Sequence, residues 1–136
     1  MRVMLDTNVL ITSAVFSSAY ILRMLDILSE KYTIVLSTYI VDELKRVTYE
    51  KFPHKCEYII EFLRNLPYEL TITPEVIDIS KYPSIRDVKD LPVLVSAIDD
   101  NIDILLTGDK DFAALDITHP EVLTPQAFMT KYGNNP

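Results

Sequence analysis

DILLTGDKDF, residues 103–112, holds an apolar run that stops at a polar corner, and its reading decides the fold. Residues 103–106 have the length and apolar character of a buried strand. Gly108, one of only two glycines in the chain, stands where that strand must turn into a loop. Asp109 follows the corner, and a short helix is expected over residues 111–115. The chain opens on a run of the same kind, with an apolar stretch at residues 3–5 that ends on Asp6. Two buried strands that each deliver an acid at their carboxyl end predict a parallel sheet with a site at that edge.

The segments between these strands alternate in period. Ser18 precedes a helical pattern over residues 19–32, in which Ile21, Leu22, Leu25 and Leu28 share a face. A β-branched strand is expected at residues 33–36. Ser37 and Thr38 are suitable caps for a helix over residues 38–52, where Ile40, Leu44 and Val47 form a stripe bordered by Glu43. Pro53 ends that helix. Another helix is expected over residues 56–67, then a strand at residues 70–73. Residues 74–89, with Pro74 and Pro83, read as a long connection. Asp90 leads a helix over residues 91–99 with Pro92 in its first turn. A last strand at residues 121–123 and a helix opened by Pro125 close the chain. The expected architecture is α/β, one domain over residues 1–136, with a mainly parallel central sheet and helices on both faces.

Composition narrows the function. The 136 residues suit one compact domain, and 49% hydrophobic content with two glycines describes a packed chain rather than a low-complexity one. Asp6 and Asn8 interrupt the opening MRVMLDTNVLITSAVF, so it reads as a strand entering a site rather than a signal peptide. No apolar run reaches the roughly 18 residues of a membrane span. Cys56 is the only cysteine, so no intramolecular disulfide forms, and a soluble, cytoplasmic protein is expected. A net charge of −7 argues against a general nucleic-acid clamp, and any contact with RNA must be local.

Asp6 and Asp109 should meet beyond the strand ends, where Asp90 and Glu43 would complete an acidic cluster. Converging carboxylates repel one another unless a cation compensates them, and an all-oxygen set suits Mg²⁺ or Mn²⁺. Such ions activate water and stabilise the attacking and leaving oxygens of a phosphodiester displacement. Two glycines cannot build a GxGxxG fingerprint or a phosphate loop, and no GxSxG elbow is present. His54, His119 and Cys56 lack zinc spacings and read as surface or packing residues. Taken alone, Asp90 reads more simply as an N-cap and Glu43 as an amphipathic helix border. Asp99, Asp100 and Asp103, around Asn101, read as surface. Lys45, Arg46, Lys51, Lys89 and Lys110 are near the acids in sequence and are candidate phosphate contacts.

VMLDTNVLITS (residues 3–13), STYIVDELKRV (37–47) and DLPVLVSAIDDNIDILLTGDKDF (90–112) together resemble the PIN-domain family. LTPQAFM (123–129) is similar to the closing strand and helix of its VapC-like toxin branch, so the resemblance spans almost the whole chain. It implies a Mg²⁺- or Mn²⁺-dependent endoribonuclease acting on single-stranded RNA, with Asp6, Glu43, Asp90 and Asp109 as the catalytic and metal-binding acids. Asp111 is a possible fifth metal ligand by the same resemblance. Thr7, Asn8 and Thr107 are expected to support those side chains. Asp87 and Asp90 both precede the helix, and Asp90 has the better register for the third position. The resemblance also implies a homodimer and a small antitoxin partner. The competing readings are a non-catalytic interaction module on the same fold and an Asp-based phosphotransfer protein. The second fits poorly, because Asn8 stands where a dehalogenase-like enzyme needs its second Asp.

Overall fold

A computed structural model describes residues 1–16 and 18–133. Five strands, β1 (Arg2–Leu5), β2 (Thr33–Ser37), β3 (Tyr68–Thr71), β4 (Ile104–Leu106) and β5 (Glu121–Leu123), form one sheet in the order β3-β2-β1-β4-β5. Every neighbouring pair is parallel. Val3, Met4 and Leu5, residues 34–37 and all of β4 are buried without alternation, so both faces of the sheet's centre are covered. The covering helices are α1 (Thr7–Val15), α2 (Ala19–Lys31), α3 (Thr38–Lys51), α4 (Cys56–Asn65), α5 (Leu91–Asp99), α6 (Lys110–Ala113) and α7 (Pro125–Tyr132). None of the described helices is long and apolar enough to cross a membrane.

From β1 the chain builds outward to β2 and β3, then returns to place β4 on the other side of β1. The topology reverses beside β1, and in open parallel sheets the crevice that binds ligands lies beyond the carboxyl ends of the strands at such a point, here β1 and β4. Leu5 pairs with Leu106, and Asp6 N–H donates to Leu106 O at 2.9 Å, so Asp6 and Thr107 leave the sheet side by side.

Two expected elements need correction. Helix α1 begins directly after Asp6, where the sequence shows no helical period, because six of its nine residues are buried. Strand β3 lies at Tyr68–Thr71 rather than residues 70–73, since its register with β2 runs from Ile34–Tyr68 to Ser37–Thr71. On that edge strand Leu70 is exposed, so the apolar pattern does not report burial. Thr73 instead accepts from Tyr39 N–H at 3.3 Å and donates its own N–H to Thr38 Oγ1 at 3.0 Å, tying the start of α3 to the chain after β3.

Asp100 and Asp103 are also more than surface charges. Arg2 donates to the carboxylate and carbonyl of Asp100, each at 2.6 Å, and its N–H donates to Asp103 Oδ2 at 2.8 Å. These acids fasten the first residue of β1 at the end of the sheet opposite the crevice. Asn101 has φ 53°, a left-handed conformation that Asn tolerates, and lets α5 turn into β4.

Candidate functional site

Asp6 is only 6% exposed and serves two elements at once. Its Oδ1 accepts from Thr7 N–H at 2.8 Å as the N-cap of α1, and its Oδ2 accepts from Thr107 Oγ1 at 2.8 Å. Burial raises its pKa, against the two donors, which lower it; Glu43 and Asp109 add repulsion in the raising direction. Thr107 Oγ1 in turn accepts from Asp109 N–H at 3.0 Å, and Asp109 caps α6 by accepting from Asp111 N–H at 2.8 Å. One hydroxyl therefore sets the spacing of the two strand-end acids. Thr107→Val is expected to lower stability by about 1–3 kcal/mol, because it strands a buried carboxylate oxygen and an amide. Thr107→Ser should restore most of that loss when both are compared by urea denaturation.

Asp90 and Asp87 arrive from the connection before α5. Asp87 accepts from Lys89 N–H at 3.0 Å and so caps the 3₁₀ turn Val88–Asp90. The Asp90 side chain caps nothing in α5, contrary to the simple N-cap reading. Its Oδ2 is shielded from solvent, and no described donor reaches it. Burial, first, and then the facing Asp109 push the Asp90 pKa up to about 7, with Asp87 and Asp6 adding repulsion. A proton held between Asp90 and Asp109 would relieve that contact, and so would a cation. Oxygens of Asp87, Asp90 and Asp111 lie within 4.8 Å of one another. The donor set is oxygen throughout and includes a carboxyl oxygen without a donor, which fits a hard divalent cation rather than a softer metal.

A family model described as a PIN domain matches residues 2–111. The chain belongs to the PIN-domain family. No curated protein matches the sequence. Among solved structures the chain is similar to one described as the crystal structure of VapBC2 from Rickettsia felis bound to a DNA fragment from their promoter. The TM-score is 0.71 at 17% identity, covering 91% of this chain and 98% of that one, a likeness of fold.

In this PIN domain Glu43 faces the strand-end acids from α3. It accepts from Thr7 Oγ1 at 2.5 Å and from Tyr39 Oη at 3.2 Å, and Arg46 Nη2 lies at 3.7 Å. Tyr39 also reaches Lys89 O at 3.1 Å, joining α3 to the connection that carries Asp87 and Asp90. Burial and the Glu43 charge push the Tyr39 hydroxyl up to about 12, so it remains a donor. The expected acids Asp6, Glu43, Asp90 and Asp109 are thus electrostatic neighbours, and Asp111 and Asp87 extend the group. Thr7 and Thr107 do contact these carboxylates. Asn8 instead lines a shallow recess of about 120 Å³ with Thr12, Ile21, Gly108 and Pro125.

Two contributors escaped the sequence reading. Tyr39 stands four residues before Glu43, a spacing that places both on one helix face and was the available signal. Arg86 forms a two-pronged pair with Asp111, at 2.8 and 3.0 Å, across 25 residues of sequence. Of the expected cations, Arg46 borders the acids, whereas Lys45 lines a separate apolar cavity of about 560 Å³ with Val41, Cys56 and Ile60.

Proposed function

We propose that this chain is a divalent-cation-dependent endoribonuclease that hydrolyses phosphodiester bonds of single-stranded RNA. The observation that carries the reading is Asp90 Oδ2, a buried carboxyl oxygen that no described donor reaches, set amid other carboxylates. Asp6, Glu43, Asp90 and Asp109, with Asp87 and Asp111 beside them, would hold Mg²⁺ or Mn²⁺. Such a cation, when bound, supplies Lewis-acid charge and an activated water. Thr107 and Thr7 orient Asp6 and Glu43, and the Tyr39 hydroxyl steadies Glu43 from the far side. The toxin-like closing segment and the likeness to VapBC2 support a role as the toxin component of a toxin-antitoxin pair, restrained by a small antitoxin.

Incubation of the purified chain with end-labelled single-stranded RNA tests the activity. Discrete cuts are expected with Mn²⁺ or Mg²⁺, none with excess EDTA, and recovery when the metal is restored. A folded chain that leaves RNA intact at every metal concentration would refute the nuclease reading.

A further inference from the structure

Arg86 is the cation most closely engaged with the acidic group among the described residues. Its Nε and Nη2 meet the two oxygens of Asp111 at 2.8 and 3.0 Å. The two side chains differ sharply in setting: Arg86 is 80% exposed, whereas Asp111 is 16% exposed. An ion pair with one partner so open to water contributes little to stability and is readily exchanged. Asp111 shares its neighbourhood with Asp87 and Asp90, so a divalent cation there and the Arg86 guanidinium compete for the same oxygens. Arg86 is adjacent to Asp87, whose carboxylate is fixed by its 3₁₀ cap, so a guanidinium released from Asp111 stays at the rim. Its planar fork matches the paired oxygens of a phosphate as it matches those of a carboxylate. Arg46, by contrast, approaches Glu43 only at 3.7 Å and divides its contacts with Glu50.

We infer that Arg86 exchanges its Asp111 partner for a backbone phosphate of the RNA, positioning the strand over the acidic group. This rests on the nuclease reading and adds to it the local cation that a chain of net charge −7 needs to hold a polyanion.

Binding of a fluorescent single-stranded RNA in Ca²⁺, across a salt series and with RNA integrity checked, separates this role from the activity. Arg86→Ala is expected to weaken RNA binding about tenfold and to flatten the dependence of log K on log salt by about 0.7, one phosphate contact. The same variant should bind Mn²⁺ alone, followed by electron paramagnetic resonance, several-fold more tightly, because the competitor for Asp111 is gone. Arg86→Lys should restore the salt slope but only part of the affinity. Arg64→Ala removes the same charge from an arginine paired with Glu61 on α4, and its slope should match the wild type. Wild-type RNA affinity and slope in Arg86→Ala, in a chain that binds and cleaves RNA, overturn the inference alone. Loss of RNA and Mn²⁺ binding together would assign Arg86 a structural role instead. A wild-type chain that neither binds nor cleaves RNA overturns the nuclease reading beneath it.

Discussion

Asp6→Asn and Asp109→Asn are each expected to lower Mn²⁺-dependent RNA cleavage at least about 100-fold, a loss of ~2.7 kcal/mol of transition-state stabilisation. The fold should survive both changes. Asn keeps the oxygen that accepts from Thr7 N–H at the start of α1, and its amide can face Thr107 once that hydroxyl rotates. At position 109 the Asn oxygen still accepts from Asp111 N–H and caps α6. Each variant also removes one negative charge from a crowded group, and at Asp6 a charge that burial already disfavours. Activity and stability therefore move independently. Matching thermal melts beside a lost activity support the assignment, while undiminished cleavage in both variants would sink it.

The parts of this site that were legible in the sequence are those fixed by local geometry. Asp6 follows β1 directly and Asp109 follows the corner after β4, and the pairing of those strands, with the Thr107 hydroxyl between the two acids, brings them together. Glu43 borders an apolar stripe that must face the core, which places it within reach of Thr7. Asp87 and Asp90 compete in the sequence for one position before α5, yet the 3₁₀ turn Val88–Asp90 sends both toward the same acids. What stayed hidden depends on tertiary contact. Helix α1 is buried on most sides and so lacks the one-sided stripe that announces a helix. Edge strand β3 takes its register from β2 rather than from its own apolar residues. Arg86 sits in an irregular connection, and nothing near it in sequence indicates that Asp111 will lie opposite.

Asp90→Asn is expected to stabilise the chain in chelator while removing its response to metal. In the folded chain Asp90 titrates at about 7, far above the ordinary carboxylate value near 3.9 that applies once the chain unfolds. The stability that goes with the protonated carboxyl is fully present below about pH 4 and is lost as the pH rises through 7. In EDTA the wild type should therefore melt lower at pH 8 than at pH 5.5. Water at this partly exposed carboxylate screens the effect, leaving on the order of 1 kcal/mol, or about 4 °C in Tm. Asn at position 90 carries no charge to penalise, so the variant should melt higher than the wild type at pH 8 and lose its share of the pH slope. Metal reverses the ranking. At a hundred times its dissociation constant, Mn²⁺ should stabilise the wild type by about 2.7 kcal/mol, while the variant, lacking an anionic ligand, gains much less. An acid that weakens the chain by itself and strengthens it with a cation would serve binding rather than folding. Equal Mn²⁺-induced shifts in both proteins would remove Asp90 from the metal site and assign its buried oxygen to a proton held between it and Asp109.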